Sequence, residues 1–133
     1  MKTFITRCFL ALALLSPQFA LADTHEAELY VVKFHADWCG SCRVLGPNIE
    51  KARGKAGLDD NAVLFVTLGL TDATKRNQAG LLASAIGLGD FYKENSGKTG
   101  YALLVDAETG ETKGRLTKDM DAGKIIDAIE ALL

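Results

Sequence analysis

The sequence offers no stretch of about 20 apolar residues, the length a membrane-spanning helix needs. Its one marked apolar run, Cys8 to Leu15, is cut off by Ser16, Pro17 and Gln18. There is no internal repeat, no low-complexity tract and no basic stripe, and the net charge of −2 gives a nucleic acid nothing to bind. Only three cysteines and two prolines occur in 133 residues. That is too few thiols for a disulfide-stapled scaffold. The residue after Cys42 is Arg43 rather than histidine, so the C-x-x-C-H pattern of haem attachment is excluded.

What is present begins with a leader. Lys2 and Arg7 precede the apolar run, and Ala20-Leu21-Ala22 supplies the small-x-small pattern of a signal-peptidase site before Asp23. We therefore expect residues 1–22 to be a signal peptide and residues 23–133 the exported, periplasmic domain. Cys8 stands at the head of the apolar run and not at the cleavage site, which argues against a lipoprotein. Cleavage removes two cations and no acid, so the domain of 111 residues carries 13 basic and 17 acidic residues, a net charge of −4. Of the three cysteines two remain, Cys39 and Cys42. A bridge closing so small a loop constrains little of the unfolded chain. The pair is therefore read as chemistry.

Along the domain, Glu28 to His35 reads as a β-branched, mostly buried strand, and Cys39 to about Gly54 as a helix with Val44, Leu45 and Ile49 apolar. Ala62 to Leu70 is a second buried strand. Asp72 is placed to cap a helix over Thr74 to Ile86 that Gly87 stops. Tyr101 to Asp106 and Glu111 to Thr117 form a hairpin. Asp119 or Asp121 caps a last helix whose stripe is Ile125, Ile126, Ile129, Leu132 and Leu133. The order β-α-β-α-β-β-α predicts an α/β fold: a central mixed sheet flanked by helices, with parallel crossovers first and an antiparallel edge last.

The segment Ala36-Asp37-Trp38-Cys39-Gly40-Ser41-Cys42-Arg43 lies where a strand meets a helix. Both thiols then fall in the first helical turn, where unpaired N–H groups and the helix dipole favour a negative charge. A thiolate at Cys39 is the species that attacks disulfides, and Cys42 follows one turn on, within reach to resolve the product. Two other readings stay open. One is an idle pair. The other is a copper or zinc site, or a metal-delivery module, in which His35 or His25 joins the thiols, although the spacing is not a zinc-finger pattern.

The stretch V-V-K-F-H-A-D-W-C-G-S-C-R-V-L-G-P resembles the active-site strand and helix of the thioredoxin superfamily, and A-D-W-C is similar to periplasmic disulfide-reductase relay domains within it. Trp38, the C-x-x-C and Pro47, which would kink the helix, carry the likeness. It implies a minimal thioredoxin-like core over residues 28–133, without the N-terminal strand and helix of thioredoxin. It also implies a protein thiol–disulfide oxidoreductase with no cofactor, in which Cys39 is the exposed nucleophile and Cys42 the more buried resolving thiol. Gly40 and Ser41 would tune the potential, and Trp38 would either face the partner or sit as an ordinary core aromatic. The A-D-W-C element tilts the direction towards reductase, acting on protein disulfides as a monomer and fed by a membrane-borne donor. A non-catalytic adaptor is the remaining class.

Three departures from the family bear on the site. Lys33 stands where thioredoxin has a buried acid. It is expected either to exchange a proton with Cys42 or to pack its stem and reach water with its amine. Tyr101, after Gly100, takes the place of the family's cis-proline facing the disulfide, so a trans, differently shaped loop is expected there. This puts in doubt the loop's roles in orienting the partner and keeping metals off the thiols. Gly89 to Gly100 is expected to be a long loop whose Phe91 and Tyr92 either offer apolar contact or tuck into the core edge.

Overall fold

The computed structural model describes residues 27–55 and 62–133. The expected leader, His25 and the first residues of the exported domain lie outside the described residues.

Among the described residues four strands form one sheet. β1 (Leu29–His35) pairs in parallel with β2 (Val63–Gly69) and antiparallel with β3 (Tyr101–Asp106), which carries β4 (Thr112–Thr117) at the other edge. The register sets Leu29 against Val63 and Phe34 against Tyr101. The mixed sheet flanked by helices, with a parallel crossover and an antiparallel hairpin, is the predicted architecture, but β3, expected to follow a second parallel crossover, runs antiparallel to β1.

Because side chains alternate across a strand, β1 feeds two cores. Leu29 and Val31 join Leu45, Ile49, Leu104 and Ile125 beneath α1 (Gly40–Lys55) and α4 (Ala122–Glu130). Val32 and Phe34 join Leu68, Ala83 and Leu103 beneath α2 (Ala73–Ala85) and α3 (Gly89–Asn95) on the opposite face. A strand buried on both sides must be apolar nearly throughout, which is why L-Y-V-V-K-F-H does not alternate.

The caps follow chemistry. The Asp72 carboxylate accepts the Lys75 N–H at 2.8 Å to start α2, and Gly87 ends it at φ 79°. Of the two candidate aspartates before α4, Asp121 is the cap, accepting the Lys124 N–H at 2.9 Å.

Two expectations are corrected. The segment after Gly87 is not a long loop: Gly89–Asn95 is helix α3, making the order β1-α1-β2-α2-α3-β3-β4-α4. Phe91 and Tyr92 hold it by packing at the edge of the second core, and the Tyr92 hydroxyl donates to the Arg76 carbonyl at 2.8 Å. So short a helix depends on this docking rather than on propensity. At the C-terminus α4 stops at Glu130, which leaves Leu132 and Leu133 outside its apolar stripe and 39 % and 50 % exposed. Ile125 and Ile129 are buried, and Ile126 packs partly against them.

The disulfide at the head of helix α1

The C-terminal ends of the parallel strands β1 and β2 point to the same edge of the sheet, the place where open α/β sheets keep their sites. β1 ends at His35, four residues turn, and α1 begins at Gly40. Cys39 is thus the residue immediately before the helix, and its Sγ accepts the Cys42 N–H at 3.2 Å, a side-chain cap made by sulfur. No acid occupies the first turn of α1, so nothing there competes for the exposed N–H groups or opposes a negative sulfur. Pro47 lies inside the helix on its exposed side; lacking an N–H, it cannot bond back to the carbonyl of Arg43.

Cys39 and Cys42 are joined as a disulfide with Cα atoms 5.3 Å apart. The sulfurs have different surroundings. Cys39 has an amide donor, whereas Cys42 Sγ lies 3.7 Å from the Phe34 carbonyl oxygen, an acceptor. After reduction, a donor favours the thiolate and an acceptor favours the thiol. Cys39, expected to be exposed, is buried in the disulfide at 7 % exposure against 4 % for Cys42, because both pack with Ala36 in a small cluster apart from both main cores.

Trp38 is not a core aromatic, being 60 % exposed. Its indole N–H donates to the Thr71 carbonyl at 3.1 Å, and the Asp37 N–H donates to the Thr71 hydroxyl at 3.1 Å. The ring therefore stands beside the disulfide with its polar atom already satisfied. The Asp37 carboxylate meets Lys75 Nζ at 3.1 Å and His35 Nε2 at 3.3 Å. Lys75, then His35, hold it below its ordinary value. Arg43 donates to the Asp37 carbonyl at 3.4 Å. Gly40 is exposed and Ser41 half-buried between the cysteines.

The remaining expected residues fall in other places. Lys33 is only 15 % exposed, and its amine reaches Glu50 on α1 at 3.6 Å, so the stem packs while the charge is paired near solvent. His35 turns to Asp37. Among the described residues no group of three or more His, Cys, Asp or Glu side chains could hold a metal.

Tyr101 does not face the disulfide. Its ring stacks on Phe34 at 5.0 Å and receives the Arg115 guanidinium at 4.2 Å, while its hydroxyl donates to the Asn95 carbonyl at 2.6 Å. Burial raises its phenol above the ordinary value, against the pull of Arg115. The residue against the disulfide is Gly100, one position earlier. Its N–H donates to the Phe34 carbonyl at 3.1 Å, and a Cβ on it would lie 2.7 Å from Ser41 Cβ and 3.3 Å from Cys39 Sγ. Alternation explains the difference, since Tyr101 belongs to the strand face that meets α2 and α3. No peptide bond among the described residues is cis, in line with the expected trans loop. The glycine before the strand is a visible signal for a close backbone approach.

Comparison with known proteins bears on this geometry. A family model described as Thioredoxin matches residues 14–84, more than half of the chain. The mitochondrial thioredoxin of Bos taurus is 60 % identical over 39 residues, 29 % of this chain and 24 % of that protein. The chain thus matches about a quarter of the length of that curated relative. Among solved structures, a mutant thioredoxin from Halobacterium salinarum aligns with TM-score 0.51 and 21 % identity over 82 % of this chain and 78 % of that one. A thiol:disulfide interchange protein of the thioredoxin family from Chlorobium tepidum aligns with TM-score 0.55 and 16 % identity over 81 % of each chain. At such identities these structures establish the fold.

Proposed function

The chain belongs to the thioredoxin family, and on that premise we propose that it is a protein thiol–disulfide oxidoreductase, acting as a reductase in the periplasm after export. The observation that carries this reading is the cap at the head of α1, where the Cys39 sulfur accepts the Cys42 amide at 3.2 Å. A sulfur in that position is stabilised as an anion by the same N–H groups that any capping acceptor satisfies.

The steps balance without a cofactor. Cys39 thiolate attacks one sulfur of a partner disulfide; a Cys39–partner bond forms, the partner's S–S bond breaks, and one partner thiolate leaves. Cys42, once deprotonated, attacks the Cys39 sulfur, closes the Cys39–Cys42 bridge and releases the second partner thiolate. The partner gains two electrons and takes up the two protons that Cys39 and Cys42 lose. The reverse sequence oxidises a partner. The reductase direction is supported by the likeness of A-D-W-C to disulfide-reductase relay domains. It requires a dithiol donor to regenerate Cys39 and Cys42, and a membrane-borne one suits an exported monomer. Trp38, held by Thr71, offers an apolar face to the partner beside the disulfide. Among the described residues a metal-delivery role finds no group of three or more His, Cys, Asp or Glu side chains that could hold the ion.

Trapping tests the reading. Cys42→Ser protein expressed in cells should accumulate mixed disulfides through Cys39 that dithiothreitol releases, and the double variant Cys39→Ser, Cys42→Ser should accumulate none. Equal trapping by both would remove Cys39 as the nucleophile.

A further inference from the structure

Gly100 touches the surroundings of both sulfurs. Its backbone lies against Ser41 and Cys39, so closely that a Cβ would stand 2.7 Å from Ser41 Cβ and 3.3 Å from Cys39 Sγ. Real Cβ atoms do not approach a neighbour to 2.7 Å, and Ser41 Cβ is fixed to the helix backbone and cannot swing aside as a side-chain tip would. Its φ of 89° adds a conformation that few other residues adopt. Its N–H donates to the Phe34 carbonyl at 3.1 Å, and that same oxygen lies 3.7 Å from Cys42 Sγ.

Resting on the exchange reading above, we propose that Gly100 is a positioning residue for the resolving thiol, coupled to the small side chain at Ser41. The missing Cβ lets the start of β3 seat on the first turn of α1, and the seat brings one amide to the oxygen that faces Cys42. When the disulfide opens, the Cys42 S–H and the Gly100 N–H share this acceptor. The amide draws density from the oxygen and weakens its hold on the thiol proton, so Cys42 ionises more readily and resolves faster. With the amide displaced, the carbonyl would hold the Cys42 proton more firmly, and the reduced form would gain stability.

The test is a double-mutant cycle read by equilibrium with glutathione and by titration of Cys42. Gly100→Ala should shift the equilibrium towards the reduced protein by about five-fold, the scale of one modest hydrogen bond, or about 20 mV at about 30 mV per tenfold. It should also raise the Cys42 pKa. Gly100→Asn keeps the Cβ but tolerates positive φ, so it should shift the equilibrium in the same direction. Ser41→Gly in the Gly100→Asn background removes the atom that would clash and should restore most of the shift, measured against Ser41→Gly alone. Gly97→Ala, where no atom lies within 4 Å of the added Cβ, should equal wild type. A wild-type-like Gly100→Asn, or additive effects at 41 and 100, would overturn the inference even if the variants were less stable. A wild-type pair that never equilibrates with glutathione would overturn the exchange reading together with it. If that pair equilibrates normally but Gly100→Ala leaves its potential unchanged, the inference about Gly100 alone fails.

Discussion

Asp37 joins the site to the rest of the molecule through one carboxylate. Lys75 on α2 and His35 on β1 both meet it, and its own amide meets Thr71, whose carbonyl holds the Trp38 indole. With its pKa held below the ordinary 3.8, mainly by Lys75, Asp37 contributes to this arrangement at pH values above about 4 and loses it as pH falls through the lowered value. Trp38 is the only tryptophan, so its fluorescence reports the loop without interference. Acidification should change that emission in a step below pH 4, and Lys75→Met should move the step upward. A step that stays in place would mean that Lys75 does not set the titration.

Elements that carry their own caps are legible in the sequence, and those held by docking are not. Asp72 and Asp121 each announce a helix three residues ahead of the amide they accept, and both do so in the fold. Asp121→Ala should cost about 1 kcal/mol in urea unfolding without altering thiol exchange, because the α4 residues Ile125 and Ile129 pack in a core that contains neither cysteine. α3 looks like loop in the sequence because seven residues, a glycine followed mostly by charged and aromatic side chains, carry no helical period. It exists because Phe91 approaches Phe34 at 6.0 Å and Tyr92 bonds to Arg76. The last helix departs in the other direction. Its stripe continues in the sequence to Leu133, but the helix ends at Glu130, and periodicity does not mark an end.

At the scale of the molecule, the two main cores on either face of the sheet contain neither cysteine. The disulfide closes a loop of sequence separation 3 and removes little freedom from the unfolded chain. Reduction by dithiothreitol should therefore leave the far-ultraviolet circular dichroism unchanged and unfolding cooperative. Loss of structure on reduction would show that the pair is a staple rather than an exchange centre.

By itself the sequence determined the succession of strands along the chain, the mixed sheet and the place of Cys39 and Cys42 at a strand–helix junction. Those features follow from local periodicity, capping residues and spacing, which act over a few positions. Only the tertiary structure decided that Gly100 and not Tyr101 lies against the sulfurs, that Lys33 is spent on Glu50, and that Trp38 is pinned by Thr71. Each of these depends on which face a side chain takes and on what a distant segment brings to it. Contacts between residues tens of positions apart have no local signature.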